Sequence, residues 1–257
     1  MGHRMRLNQY LAHNSQYSRR EADRLINEGC VKINHRIAKL GDSVYKNDKI
    51  FVNGQFIKEK DKNQYSVIIY HKPKGEIVSK KDDRGRRIIY DSLPSGFSHF
   101  IPVGRLDFAS NGLLMLTDSP MVAQKLMHSS LERIYYLKIK GYVNEQIKRS
   151  MLEGLKLEDA RAGGHRLNNI QSMEFAPFTG FEIIQESGGY TRLKVGIVEG
   201  QNRELRRFFA AFDTHVMDIK RVRFGFASLG KLALQKWRFL EKSEYTKLHH
   251  FLKKESE

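Results

Sequence analysis

The sequence predicts an α+β protein in two parts, a small helix-then-strand module followed by a larger part whose strands outnumber and outlength its helices. Three observations carry this. Residues 18–26 hold a helix start signal and an amphipathic stripe. From Cys30 onward short apolar runs are punctuated by Gly41-Asp42 and Asn53-Gly54. Beyond a polar stretch at 58–63 come longer β-type runs, Ser66–Tyr70, Gly112–Thr117, Ile134–Ile139 and Arg192–Val198.

In the first module, Met5, Leu7, Leu11 and Ala12 give a short helical stripe. Ser18 with Glu21 three residues on fits a capping box, so a second helix starts there and its last turn ends at Gly29. Cys30, the only cysteine, sits at a strand start and reads as a small core residue; with one cysteine there is no intrachain disulfide and no thiolate metal cluster. Arg6, Arg19, Arg20, Arg24, Lys32 and Arg36 cluster in this module. Lys58–Asn63 contains no apolar residue and reads as a linker, which gives expected domains at 4–60 and 64–252.

The composition points to a polyanionic partner. There are 45 Lys and Arg against 29 Asp and Glu, a net charge of +16, with +6 of it in residues 1–62 and +10 in the rest. A field of that sign attracts RNA or DNA, and both parts are basic as expected if both touch one nucleic acid. No long apolar run suggests a membrane span and the N-terminus lacks an apolar signal core, so a cytoplasmic protein is expected. The histidines at 71, 99, 128, 165, 215, 249 and 250 show no metal-ligand spacing, and no phosphate-binding glycine loop or nucleophilic serine elbow is present. Neither a metal nor a cofactor is expected.

In the second part, Val67–Tyr70 reads as a buried strand running into His71-Lys72-Pro73-Lys74-Gly75, a turn with a basic tip. Lys80–Arg87 is an exposed, cation-rich loop, either grip for an RNA backbone or plain solvated surface. Helices are expected at 121–127, at 143–155, from about Asn202 and in the tail, with one strand-like segment after Trp237. The segment Glu158–Asn168 is loop-like and suggests no function. Along Ile134–Lys140, alternation puts Tyr135, Leu137 and Ile139 on one face and Tyr136, Lys138 and Lys140 on the other.

One stretch carries chemistry. Gly104-Arg105-Leu106-Asp107-Phe108-Ala109-Ser110-Asn111-Gly112-Leu113-Leu114-Met115-Leu116-Thr117 sets a carboxylate in a glycine-flanked loop before an apolar strand. Asp107 either closes an Asx-turn or serves as a nucleophile or base kept ionised by arginine, since a nearby opposite charge favours the charged form. Spacing alone leaves both open.

The whole stretch resembles the catalytic motif of the pseudouridine synthases, in particular the RsuA/RluB-type branch acting on ribosomal RNA, with Ser110 where that family often has Thr. Arg6-Leu7 through Leu11, then Ser18-Arg19-Arg20-Glu21-Ala22, then Ile26 to Asn34 resemble the S4 RNA-binding domain. The resemblance implies a mixed, mainly antiparallel catalytic sheet with a central cleft. It also implies an S4-like basic face, with Arg6, Arg19, Arg20, Arg24 and Lys32, that meets RNA phosphates.

Glu132-Arg133-Ile134-Tyr135 resembles the strand that supplies an active-site tyrosine stacking on the target base, and that role goes to Tyr135. In Glu199-Gly200-Gln201-Asn202-Arg203-Glu204-Leu205-Arg206-Arg207, the family pattern makes Arg206 the partner of the catalytic aspartate. Arg203 and Arg207 read as a basic solvent face open to RNA, opposite Leu205, Phe208, Phe209 and Phe212. The match of Arg105 implies that it fills the space left by a flipped base.

The implied activity is isomerisation of uridine to pseudouridine in ribosomal RNA by a monomer without a cofactor. Asp107 would act at C1′ as a nucleophile or at C2′ as a base. The Gln201–Arg207 segment looks closer to the large-subunit branch than to the small-subunit one. The competing readings are a synthase for small-subunit RNA and a non-catalytic ribosome-associated RNA binder.

Overall fold

The computed structural model describes residues 5–15, 17–59, 65–164 and 170–254. Residues 60–63 of the expected linker, His165 and the end of the 158–168 segment lie outside them. The chain divides into two compact units, 1–65 and 66–257.

The first unit runs β1 (Met5–Arg6), α1 (Leu7–Asn14), α2 (Arg19–Asn27), β2 (Val31–Ile33), β3 (Arg36–Ile37), β4 (Ser43–Val44), β5 (Ile50–Val52) and β6 (Gln55–Phe56). The capping box forms as expected: the Glu21 amide donates to Ser18 Oγ at 3.2 Å and the Ser18 amide to a Glu21 carboxylate oxygen at 2.7 Å. That satisfies two of the orphan amides of the α2 N-terminus. Leu7, Tyr10, Leu11, Ala22, Leu25 and Ile26 from the helices meet Val31, Ile33, Val44, Ile50 and Val52 from the strands in one core, with Cys30 packed at its margin. Asn53 and Gly54 both take positive φ, the geometry of the tight turn joining β5 to β6.

The second unit is built on a nine-stranded sheet. Its elements are β7 (Val67–Lys72), β8 (Ile101–Pro102), β9 (Asn111–Thr117), α3 (Pro120–Met127), β10 (Arg133–Lys140), α4 (Glu145–Glu153), β11 (Leu155–Leu157), β12 (Met173–Phe175), β13 (Gly180–Ser187), β14 (Tyr190–Ile197), α5 (Glu204–Ala210), β15 (His215–Phe224), β16 (Ala227–Ser228), β17 (Trp237–Phe239) and α6 (Lys242–Lys254). The main strand order is β13-β14-β10-β15-β9-β7-β17. Among the described strands of this sheet only β15 with β9 pairs in parallel, so the sheet is mixed and mainly antiparallel, as expected.

The parallel join places the motif loop. It pairs Lys220 with Asn111 and Arg221 with Gly112. A Cβ on Gly112 would lie 2.2 Å from the Arg221 carbonyl oxygen, so only glycine lets the two backbones approach this closely. The strand β9 is buried from Gly112 onward, which holds the loop before it at the edge of a rigid element.

On one face of the β10, β14 and β15 segment, Leu137, Ile139, Leu193, Val195 and Ile219 pack with Ile147 and Met151 of α4 and Phe208 and Phe209 of α5. The other face of β10 carries Tyr136 and Lys140 exposed, the alternation read from the sequence. Observed helix limits are tighter than expected for α4, and α5 starts at Glu204 because Arg203 takes a left-handed φ of 52°.

Candidate active site

A cavity of about 240 Å³ opens in the second unit beside the motif loop. Its lining includes Arg105 and Asp107 from the loop, Tyr135 from β10, Arg203 and Leu205 from the α5 start, and Arg221 from β15. Residues separated by over a hundred positions thus converge because β10, β15 and β9 are adjacent in the sheet.

Within the cavity the Asp107 carboxylate stands 3.8 Å from Arg203 Nη1 and 3.8 Å from Arg206 Nε. These are ion-pair contacts, longer than hydrogen bonds. The loop closes instead through its backbone, the Ser110 amide donating to the Asp107 carbonyl at 3.0 Å. The carboxylate is therefore not spent on an Asx-turn.

Arg206 is fixed by its other nitrogens. Nη1 donates to the Val216 carbonyl at 2.8 Å and Nη2 to that of Ala109 at 3.4 Å, so one side chain ties β15, the motif loop and α5 together. Burial and the neighbouring Arg203 pull its guanidinium below the usual arginine range, while Asp107 and Asp218 oppose that. Tyr135 is 7% exposed and presents its ring at the cavity wall, whereas Arg105 is exposed beside it.

Arg207 does not join them. The sequence places it on a basic solvent face at the RNA, yet it is 0% exposed. Its Nε donates to the Asn202 carbonyl at 3.1 Å and Nη1 to that of Ala160. The guanidinium satisfies carbonyls of the 160–164 segment and the α5 entry, and it cannot reach a phosphate. That segment, which carries no functional signal in sequence, also accepts a 2.7 Å hydrogen bond from Arg203 Nε at the Gly163 carbonyl. A Cβ at Gly163 would fall 2.4 Å from the Arg206 carbonyl oxygen, so glycine is what lets the segment seat against α5.

In the first unit Arg6, Arg19, Arg20, Arg24 and Lys32 are all exposed. Arg24 pairs with Glu28 at 3.8 Å, a solvated contact worth little.

Sequence reasoning missed two site residues. Lys72, read as part of a basic tip, is fully buried, and its ammonium donates to the carbonyls of Pro73 at 2.9 Å, Asp107 at 3.2 Å and Ser110 at 3.0 Å. Burial draws it down to about 8, against the pull of Glu76 and Asp107. A signal for it exists in the fold: Lys72 continues the all-buried β7 run and faces Gly112 across the β7–β9 pair. Glu204 is the second. It is 5% exposed in the cavity wall, accepts from the Gln201 amide at 2.8 Å and is pushed up to about 7 by burial.

Among the described residues no group of three or more His, Cys, Asp or Glu is placed to hold a metal, and no helix is long and apolar enough to cross a membrane.

An acid held between two arginines in a cavity walled by tyrosine, on a mixed sheet in a strongly basic chain, is the arrangement of an RNA-modifying enzyme, and relatives narrow that class. The RNA pseudouridylate synthase family model matches residues 66–211, and the S4 domain model matches 5–50. The chain belongs to the RNA pseudouridine synthase family, of the RsuA/RluB type with an N-terminal S4 domain, and is an isomerase.

It is 52% identical over 251 residues to an uncharacterized RNA pseudouridine synthase of Helicobacter pylori (strain ATCC 700392 / 26695), spanning 98% of this chain and 96% of that one. It is 34% identical over 227 residues to the ribosomal large subunit pseudouridine synthase B of Bacillus subtilis (strain 168), with 87% of each chain covered. A solved pseudouridylate synthase shares the fold at a TM-score of 0.64, with 24% identity over 95% of this chain and 99% of that one.

Proposed function

We infer that this enzyme converts a uridine of large-subunit ribosomal RNA to pseudouridine, with Asp107 as the catalytic carboxylate. The observation that carries the reading is the position of that carboxylate: in the cavity wall, 3.8 Å from Arg203 and Arg206, with Tyr135 and Arg105 lining the same space. The large-subunit assignment is supported by relatives such as the Bacillus subtilis protein bearing that name.

The target base must leave the helical stack to enter the cavity, at a cost of a few kcal/mol unless it is already unpaired. Tyr135 then stacks on its plane and Arg105 fills the gap it leaves. Asp107 acts at the ribose, either attacking C1′ or removing the C2′ proton, and the N1–C1′ bond breaks with its electron pair leaving on uracil. The freed uracil turns and C5 bonds to C1′, displacing the Asp107 ester oxygen on the first route or with the proton returned to C2′ on the second; the C5 proton then departs and N1 takes one up. Arg203 and Arg206 compensate the carboxylate charge and fix its direction, which is where orientation contributes to rate.

The exposed cations of the first unit, Arg6, Arg19, Arg20, Arg24 and Lys32, contact phosphates and so position the RNA without reading its sequence. The test is tritium release from unmodified, 5-tritiated-uridine transcripts of large- and small-subunit ribosomal RNA. Release from the large-subunit transcript alone is expected. Release only from the small-subunit transcript would move the substrate, and release from neither, nor from partly assembled subunits, would leave a non-catalytic RNA binder.

A further inference from the structure

The face of the catalytic sheet turned away from the cavity has a composition that solvent exposure alone does not explain. Side chains directly opposite one another across a sheet share a face, and three rows can be read from the registers of β14, β10 and β15. They are Lys194, Tyr136 and Lys220; Arg192, Lys138 and Asp218; and Tyr190, Lys140 and His215. Tyr135, Leu137 and Ile139 alternate with them and point to the cavity and core, so this grid lies on the opposite side.

The grid holds five lysines and arginines, two tyrosines and one acid. That acid, Asp218, is already engaged by Lys74 from outside the grid at 2.8 Å. Glu182 of the neighbouring β13 reaches only Lys194, at 3.9 Å. Lys138 and Arg192 are direct cross-strand partners, an arrangement of like charges that weakens a sheet. Lys138 lies over the Tyr190 ring, 4.4 Å from its centroid. Tyr136 is 44% exposed between two lysines.

A fold does not keep opposed cations on a central strand pair for stability, and a bound polyanion would remove the repulsion. Exposed aromatic rings on a sheet, interleaved with cations, are also the arrangement on which unpaired bases stack while their phosphates are neutralised. We propose that this face is a second RNA-binding surface, taking an unpaired segment of the substrate RNA beyond the target uridine. The face alternates with the residues that line the cavity and meets the motif loop at one edge, where the Asn111 side-chain amide donates to Asp218 at 3.4 Å, so RNA bound here lies beyond the nucleotide that enters the cavity. The occupant follows from charge complementarity and from the RNA substrate of the family, and is independent of the role given to Asp107.

The test uses the full chain and three variants, Arg192→Glu, Lys138→Gln and Tyr136→Ala, with binding to an unmodified large-subunit ribosomal RNA transcript measured over a range of salt. Arg192→Glu faces Lys138 with an opposite charge, so its thermal midpoint should not fall, while its RNA affinity falls about three- to tenfold. Lys138→Gln removes the repulsion from the other strand without setting an acid against Asp218, and its affinity falls in the same direction. The plot of log affinity against log salt should flatten by about 0.7 for each phosphate no longer neutralised. Tyr136→Ala weakens binding of the transcript without flattening that plot. Ultraviolet crosslinking of the wild-type complex should place RNA on peptides spanning Tyr136 and Tyr190.

Unchanged affinity and salt dependence in both charge variants would overturn the proposal. So would crosslinks confined to the first unit and the cavity side. Since these readouts measure binding and not turnover, a failure of the catalytic reading would leave them intact.

Discussion

The Lys72 ammonium lies 3.2 Å from the carbonyl oxygen of Asp107 and 3.0 Å from that of Ser110, so a buried cation on β7 clamps both ends of the loop that presents the Asp107 carboxylate. Lys72 does not line the cavity, and its hydrogen bonds go to backbone carbonyls, while its charge also attracts the Asp107 carboxylate. Lys72 is thus a positioning residue.

Replacing Lys72 by Met keeps its length and removes three donors. Three carbonyls lose their partner, at about 1–3 kcal/mol of stability, partly offset because a buried charge is also removed. Loop displacement costs more than stability: kcat should fall about 10- to 100-fold while KM for RNA holds, because small misplacements of a reacting group are expensive. Steady-state tritium release measures the two constants, and a KM effect alone would contradict the clamp.

Arg207→Ala should act on the fold and not on RNA. The variant leaves the Ala160 and Asn202 carbonyls without their buried donor and opens a void between α5 and the 160–164 segment, for a loss of about 3 kcal/mol in urea denaturation. At a temperature where the variant stays folded, its RNA affinity should equal that of the wild type.

Glu204 sets a pH dependence. Its carboxyl titrates near 7 in the fold against an ordinary 4.5, so between those values the native state binds the extra proton. Stability from this group is therefore full below pH 4.5 and is lost as pH rises through 7. Glu204→Gln keeps an oxygen to accept from the Gln201 amide and cannot ionise. Above pH 7 it should be the more stable protein, by up to about 3 kcal/mol, with the difference vanishing towards pH 4.5. Denaturation midpoints at pH 5 and pH 8 test the sign.

Much of this fold can be read from local pattern. Ser18 with Glu21 announces the α2 start, Asn53-Gly54 the hairpin, and the alternation from Arg133 to Lys140 the two faces of β10, because each signal acts over a few residues. Position in the tertiary structure is what local pattern cannot supply. Arg203 and Arg207 look alike in sequence, four apart on one helix face, yet Arg203 reaches Asp107, whereas Arg207 turns inward to a carbonyl 47 residues away. Lys72 sits beside a proline turn that reads as surface, and its burial follows only once β9 is laid beside β7.

The most direct test of the central claim compares wild type with Asp107→Asn, a change that keeps shape and removes charge. RNA affinity and thermal midpoint should stay within about twofold and a few degrees, while tritium release from uridine-labelled ribosomal RNA falls by at least about 10³-fold, the scale expected when a nucleophile or base is lost. An Asp107→Asn enzyme that releases tritium at near wild-type rate would show that the carboxylate between Arg203 and Arg206 serves structure and not chemistry.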